Sequence, residues 1–276
     1  MQKESLLWAS HFVEAFFNSP DSYIHPTAIV DPRVKLGSGA KIGPFCTLIG
    51  DITIGKNTRL YGHVSVGFPA QSRGTKDNTG TIVIGDDCEI REFVTIHGSK
   101  YPAGQTIIGN NCYLMNYCHV SHDVTLEDNV TLINSVNLGG HTYIEKNGFM
   151  MANAATHQFC RVGTFTALAP FGGIRQDLPP FCLFSGQPAQ FSGLNATGLK
   201  RAGFSNESIN ALKHVTKLFF QDKILLGDIK ALAQAEPVWG SDQAVQRFIA
   251  FIEKSDRGVS RRNINDKKDT QHSPTF

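Results

Sequence analysis

The sequence predicts an all-β chain with a helical appendage: a parallel β-helix over residues 24–180, then an α-helical region over residues 181–258. Three observations carry this expectation. Every sixth residue from Ile108 onward is Ile108, Leu114, Val120, Leu126, Leu132, Leu138, Ile144, Met150, Thr156, Val162, Leu168 and Ile174, aliphatic throughout except at Thr156. Four places after each of the first eleven stands a small or β-branched residue: Cys112, Cys118, Val124, Val130, Val136, Thr142, Gly148, Ala154, Cys160, Thr166 and Gly172. Beyond Leu178-Pro179-Pro180 the period of six gives way to apolar residues at helical spacing. A period of six is neither 3.6 nor 2, and it marks a β-helix whose triangular coil is three short strands. The aliphatic residue of each hexad points inward and the small one fills the space beside it. Residues three hexads apart then stack at the ordinary strand spacing of about 4.8 Å.

Residues 1–23 form an N-terminal extension. Leu6, Leu7, Trp8, Phe12, Val13, Phe16 and Phe17 make it apolar, but His11 and Glu14 interrupt it and only Lys3 supplies basic charge. No small-residue cleavage site follows, so an amphipathic helix starting near Ser5 is expected rather than a signal peptide. The hexad frame opens at Ile24 and runs through Val30, Leu36, Ile42, Leu48, Ile54, Leu60 and Val66. It fails at Ser72, Asn78 and Pro102, which define two polar excursions, Phe68 to Thr81 and Gly98 to Gln105. Both return in register, as loops leaving a coil do, and such loops are the usual carriers of recognition. After an irregular passage, Phe181 to Gly198, Ser205 can cap a helix bearing Ile209, Leu212, Val215, Leu218 and Phe219. A second helix is expected over Asp228 to Ala235, and a third from near Ser241 to near Gly258. Residues 259–276 are polar and expected to be disordered.

The chain has 276 residues, 41% of them hydrophobic, and a formal charge of +2, so charge gives no reason to expect a nucleic-acid partner. No stretch reaches the length of a membrane span. Cys46, Cys88, Cys112, Cys118 and Cys160 all fall on the small inward position, where a thiol acts as a small hydrophobe. That usage points to a reducing, cytoplasmic setting and away from disulfides or a cysteine metal site. Phe149, Met151, Phe159, Phe165 and Phe171 lie outside the inward frame, and an oligomer burying one face is the simplest account of them.

The stacking interval of eighteen places His122 over Gly140 and Gln158, with His141 and His157 in adjacent columns. These residues gather along one edge in three successive coils, with Asp123 beside His122. Any single one is a solvated surface histidine; the set makes a site. Histidine next to a carboxylate suits general-base work. Gly140, without a side chain, can turn its N–H toward a developing oxyanion. The competing reading is a metal site with His119, His122 and His141 as ligands, as in a gamma-class carbonic anhydrase. Against it, the spacing of His119 and His122 on a flat coil does not aim both rings at one ion. A third reading is a trimeric scaffold without chemistry.

Particular stretches add a resemblance. Ile24-His25-Pro26-Thr27-Ala28-Ile29-Val30, Ile42-Gly43-Pro44-Phe45-Cys46, Ile90-Arg91-Glu92, Thr95-Ile96-His97, His119-Val120-Ser121-His122-Asp123, Gly139-Gly140-His141, His157-Gln158-Phe159-Cys160, Gln176-Asp177-Leu178-Pro179-Pro180 and Gly198-Leu199-Lys200-Arg201-Ala202-Gly203-Phe204 resemble the UDP-N-acetylglucosamine O-acyltransferases that begin lipid A biosynthesis. The resemblance spans roughly Ile24 to Gly258. It implies a homotrimer of left-handed β-helices with a C-terminal helical domain. The implied reaction moves a 3-hydroxyacyl chain from acyl carrier protein to the 3-hydroxyl of UDP-N-acetylglucosamine, with no cofactor and no metal. It makes His122 the general base, Asp123 its orienting carboxylate and the Gly140 amide the oxyanion donor. His119, His141, His157 and Gln158 would line the sugar and acyl site, Asn195 and Arg201 would meet the nucleotide phosphates, and Lys200 and Arg201 the acidic carrier.

The sequence also departs from that family. Its loop Gln-Asp-Leu-Lys-Tyr-x-Gly-Glu is represented here by Gln71-Ser72-Arg73-Gly74-Thr75-Lys76, where Gln71 alone matches in place and Arg73 or Lys76 is the candidate substitute. The family's Lys-Arg-Arg ends in Ala202, and the small residue that limits acyl length aligns with Pro170. A related acyltransferase using another nucleotide amino sugar or another acyl chain is therefore the alternative.

Overall fold

The computed structural model describes Ser10, residues 12–75 and residues 80–260. Three sheets, parallel throughout except for the last strand of the first, form the walls of a triangular prism. The first has ten strands, starting at Tyr23–Ile24; the second has eight, starting at Ile29–Val30; the third has seven, starting at Lys35–Leu36. Consecutive strands go to consecutive sheets, so each coil visits all three walls. His119 pairs with Asn137 and Tyr113 with Thr131, which is the predicted interval of eighteen. The interval grows to 30 across the first excursion, Arg59 to Glu89, and to 24 across the second, Glu89 to Tyr113. Both excursions leave and re-enter without breaking the ladder.

The inward column is a dry core. Leu114, Val120, Leu126, Leu132, Ile144, Met150, Val162 and Leu168 are 0% exposed, and Thr156 only 8%. Each aliphatic side chain so buried contributes roughly 1.5–3 kcal/mol before entropy is charged against it. Thr156 is tolerated because its hydroxyl reaches Thr142 Oγ1 at 2.7 Å and accepts from the Gly139 N–H at 3.0 Å. All six cysteines are buried free thiols. Ile24 departs from the expected inward set: it is 46% exposed, because among the described residues no coil lies beneath the first one to cover it.

Each edge is turned by a residue in the left-handed region. Asn111, Asn129 and Asn147 turn the third-to-first edge, Phe93, Tyr117, Ser135 and Asn153 the first-to-second, and Asp123, His141 and Phe159 the second-to-third. Asn and Asp tolerate this conformation best. Along the first-to-second edge Phe45, His63, Phe93 and Tyr117 stack face to face with centroids 4.8–5.1 Å apart.

Ser10, Phe12 and Val13 are helical and lead into a π-helical turn, Glu14–Asn18, that lies against the outer face of the first sheet. Phe16 is 1% exposed and packs edge-on against Tyr61. The Lys41 ammonium, buried beneath this segment, donates to Ala15 O at 2.7 Å, Ser19 O at 2.9 Å and Asp21 O. The rest of the expected N-terminal helix, and residues 261–276 of the expected tail, lie outside the described residues.

The expected end of the β-helix at residue 180 falls inside the first sheet. Cys182–Gly186 pairs parallel to Ala167–Leu168, and Ala189–Leu194 returns antiparallel beside it. The passage expected to be irregular is therefore this hairpin followed by a short helix, Ala196–Arg201. The helices Asn206–Phe220, with Ser205 as N-cap, Leu226–Ala235 and Gln243–Glu253 follow, together with the turn Pro237–Gly240. The third expected helix ends at Glu253, short of Gly258. Val259 and Ser260 were placed in the tail but pack on the body: Val259 bridges Asp177, and the buried Ser260 hydroxyl bonds Ala189 O.

Candidate functional site

The second-to-third edge carries both excursions and the histidines. The loop ending at Gly80 leaves it two coils before His122, and the loop 98–104 one coil before. His122 and Asp123 turn the edge in the next coil, Gly140 and His141 in the one after, and His157 to Phe159 in the last.

His122 is 9% exposed and its Nδ1 lies 2.7 Å from Asp123 Oδ2, which leaves Nε2 as the free basic atom. Asp123 is itself fixed: its N–H donates to Thr106 Oγ1 at 2.9 Å, and its φ of 60° sets the direction of the carboxylate. Gly140 is required by space. A Cβ there would stand 2.6 Å from His122 Cε1 and 2.7 Å from Nε2. The Gly140 N–H donates no hydrogen bond among the described residues, and the Gly140 α-carbon is packed against the imidazole. A base, its carboxylate and an unpaired amide donor therefore meet within one coil spacing, the arrangement that acyl transfer to a hydroxyl needs.

His141 Nε2 is 3.7 Å from Asp123 Oδ2, and its ring stacks on Phe159 at 4.5 Å and 6°. Burial holds its pKa below the ordinary histidine value; Asp123 works against this and His122 and Lys100 with it. His157 and Gln158 are exposed one coil further on. Arg257 Nη2 approaches His157 Nδ1 at 3.4 Å while its Nε–H donates to Arg175 O at 3.0 Å. A cleft of about 560 Å³ continues from His141 and Phe159 past Tyr143 and Arg161 to Arg257.

Other expected site residues do not join this cluster within one chain. His119 faces outward on the second sheet, its Nδ1 2.9 Å from Thr95 Oγ1 and its ring 5.0 Å from His97. Desolvation, with the neighbouring His97 second, lowers its pKa to about 4. His119 is thus no part of a three-histidine metal set. The donors that do converge are His122, Asp123 and His141, whose ligand atoms lie within 4.8 Å of one another, with His122 Nδ1 already bonded to the carboxylate. Gln71 and Arg73 are exposed on the first loop, and Lys76 lies outside the described residues. Pro170 is exposed on the first-to-second edge. Asn195 caps the helix Ala196–Arg201, accepting from Gly198 N–H at 3.1 Å and donating to Phe165 O at 2.9 Å on the third-to-first edge. Arg201 is exposed at the end of that helix.

Sequence reasoning missed Arg257, which approaches from a hundred residues away, and Lys100 and Tyr101 on the second loop. The first has no periodic signal. The other two sit in a segment whose only sequence mark is that it breaks the frame.

Comparison with known proteins places this geometry. Residues 177–260 match the family model described as Udp N-acetylglucosamine O-acyltransferase, Domain 2, and residues 33–67 and 105–140 match the bacterial transferase hexapeptide model. A curated protein of Halorhodospira halophila is 35% identical over 258 residues, covering 86% of this chain and 99% of its own length. One from a Janthinobacterium species is 36% identical over 261 residues, covering 87% and 100%. Both are named acyl-[acyl-carrier-protein]–UDP-N-acetylglucosamine O-acyltransferase. The solved UDP-N-acetylglucosamine acyltransferase of Francisella novicida superposes with a TM-score of 0.77 at 30% identity, covering 87% of this chain and 95% of that one. That of Campylobacter jejuni gives 0.70 at 27%, covering 87% and 100%. The coils wind left-handed, as in these structures.

Proposed function

The chain belongs to the acyl-[acyl-carrier-protein]–UDP-N-acetylglucosamine O-acyltransferases, and from that premise we propose how its own residues carry the reaction. It is an acyltransferase of the first step of lipid A biosynthesis. The acceptor is the 3-hydroxyl of UDP-N-acetylglucosamine and the donor a 3-hydroxyacyl thioester on acyl carrier protein.

His122 Nδ1–H donates to Asp123, so Nε2 takes the proton of the sugar hydroxyl as its oxygen attacks the thioester carbonyl. The Gly140 N–H receives the oxyanion of the tetrahedral intermediate. Collapse forms the ester and breaks the carbon–sulfur bond. The departing thiolate then takes the proton back from the His122 imidazolium, and base and carboxylate return to their starting state. His141, His157 and Gln158 border the acceptor along the same edge. The observation that carries this reading is the 2.7 Å His122–Asp123 contact directly beneath Gly140.

The active assembly is a homotrimer. His122 stands on the second-to-third edge, Pro170 on the first-to-second and Asn195 beside the third-to-first, so one prism cannot present all three to one substrate. Three prisms side by side bring unlike edges together, and the exposed stack Phe45, His63, Phe93 and Tyr117 offers an apolar seam for the contact. No helix among the described residues is long and apolar enough to cross a membrane, and the six free thiols suit the cytoplasm.

The test is mass spectrometry of products from a panel of nucleotide sugars and acyl carriers, with His122→Ala beside the wild type. The expected product is the 3-O-acylated UDP-N-acetylglucosamine, with turnover reduced roughly 10²–10⁴-fold in the variant while the trimer persists. Turnover near wild type in His122→Ala would sink the mechanism, and products only from another sugar would change the acceptor.

A further inference from the structure

The loop 98–104 is tied to the catalytic corner at its base. Thr106 Oγ1 donates to His97 O at 2.8 Å and accepts the Asp123 N–H at 2.9 Å. Gly104 lies so close that a Cβ there would stand 2.6 Å from Asp123 Oδ1. Ser99 is fully buried, and its hydroxyl accepts the Tyr101 N–H at 3.0 Å. What these anchors hold up is Lys100 and Tyr101. The Tyr101 ring is 50% exposed with its centroid 6.1 Å from that of His141. The Lys100 ammonium sits 5.2 Å from the Tyr101 centroid and forms no ion pair with the described residues. Its charge reaches His141, where it opposes protonation of that imidazole.

We propose that Lys100 and Tyr101 form the acceptor subsite of this centre, the ammonium meeting the diphosphate of the nucleotide sugar and the phenol ring covering the sugar. The assignment rests on the reading of His122 as the base toward a sugar hydroxyl. Only a few covalent bonds separate that hydroxyl from the phosphate on the anomeric carbon. Once the hydroxyl is at His122 Nε2, the diphosphate lies within reach of a side chain rooted one coil away. The carrier also holds a phosphate, but the whole pantetheine arm separates it from the thioester, so it stands far from this edge when the carbonyl is at Gly140. Lys100 is also a cation of this edge with no ion pair to the described residues, its one shown contact being the Tyr101 ring. Arg257 is engaged by Arg175 O and His157, and Arg161 by Glu145 and the face of Phe251. A lysine serves a phosphate as a point charge, without the fixed fork of an arginine.

The test uses the full-length protein, with UDP as the calorimetric probe and steady-state kinetics varying each substrate in turn. Lys100→Ala is expected to weaken UDP binding and raise the KM for UDP-N-acetylglucosamine by roughly tenfold, the scale of one charge-assisted hydrogen bond, with Lys100→Arg recovering most of it. Tyr101→Ala is expected to raise the KM for the sugar nucleotide while leaving free UDP affinity nearly as it was. UDP affinity of Lys100→Ala within twofold of wild type, with its melting temperature retained, overturns the assignment. So does a rise confined to the KM for the acyl carrier, which would put the carrier's phosphate at Lys100 instead. A wild-type chain that neither binds UDP nor turns over the sugar nucleotide overturns the acceptor reading and this subsite with it.

Discussion

Gly140→Ala is the most discriminating single change at this site. It keeps the N–H and adds one methyl group, and the backbone φ of Gly140 lies outside the left-handed region, so alanine fits the local chain. The methyl carbon would stand 2.6 Å from His122 Cε1. Carbon atoms rest at about 3.5 Å, so the ring has to retreat by about 1 Å. His122 cannot do so freely, because Nδ1 is held by Asp123 at 2.7 Å and Asp123 by Thr106. A displacement of this size at a reacting group costs about a hundredfold in rate. The overpacking itself costs about 1–3 kcal/mol of stability, which a cored prism of this length withstands. The assay is kcat/KM for both substrates, with thermal melting and the imidazole resonances of His122 as controls for fold and ring position. The expected result is a loss of about two orders of magnitude, carried by kcat, with the assembly state unchanged. Activity within threefold of wild type would refute the idea that Gly140 is there to seat the base.

Two other expectations concern stability. His119 has its pKa lowered from 6.5 to about 4 by burial, with His97 adding to it, so the folded chain prefers the neutral ring and the unfolded chain binds its proton first. This contribution is complete above about pH 6.5 and is lost as pH falls toward 4, so denaturant midpoints should decline across that window. His119→Asn should flatten the decline, and an unchanged slope would count against the burial argument. Lys41→Met leaves Ala15 O, Ser19 O and Asp21 O without their donor, a local cost of about 1.5–3 kcal/mol. Amide exchange should accelerate over Glu14–Asn18 while the coils stay protected; equal protection in both proteins would show that Lys41 does not hold that segment.

The hexad frame was legible because one physical rule acts on every coil. It gave the inward columns, the register and the juxtaposition of His122 with Gly140, all of which depend only on counting. It could not supply contacts that cross the molecule once. Arg257 reaches His157 over a hundred residues, Ser255 bonds Asp177 at 2.7 Å, and Lys41 collects three carbonyls from the segment before the first coil. None of these repeats, so none has a period. The loss of the hexad period at Leu178-Pro179-Pro180 makes Phe181 to Gly198 read as irregular, yet the open top of the first sheet offers unpaired backbone groups, and the segment completes it as a hairpin. Ile24 went the other way. It obeys the pattern but lacks a coil below, and the frame holds only where both neighbours exist.

On the proposed mechanism, the geometry of this edge also accounts for the choice of one histidine out of three as the base. The residue that turns this edge recurs as Asp123, His141 and Phe159, all held at φ near 60°. Asparagines on the third-to-first edge take the same conformation and bond one another, as Asn111 does with Asn129 at 2.7 Å. On the catalytic edge the turning residues instead project a carboxylate, an imidazole and a phenyl ring in line. His141 is consequently sandwiched, with Phe159 on one side at 4.5 Å and Asp123 on the other at 3.7 Å. Its partial burial lowers its pKa below the ordinary histidine value, with Asp123 working against that shift. His122 precedes the turning residue, and its Nδ1–H donates to Asp123 Oδ2 at 2.7 Å, a contact suited to an imidazolium formed as a hydroxyl is deprotonated. His157, one coil further on, has Arg257 Nη2 at 3.4 Å from its Nδ1 and no ion pair with a carboxylate among the described residues. On the proposed mechanism the base is therefore the histidine whose neighbouring turning position holds the aspartate.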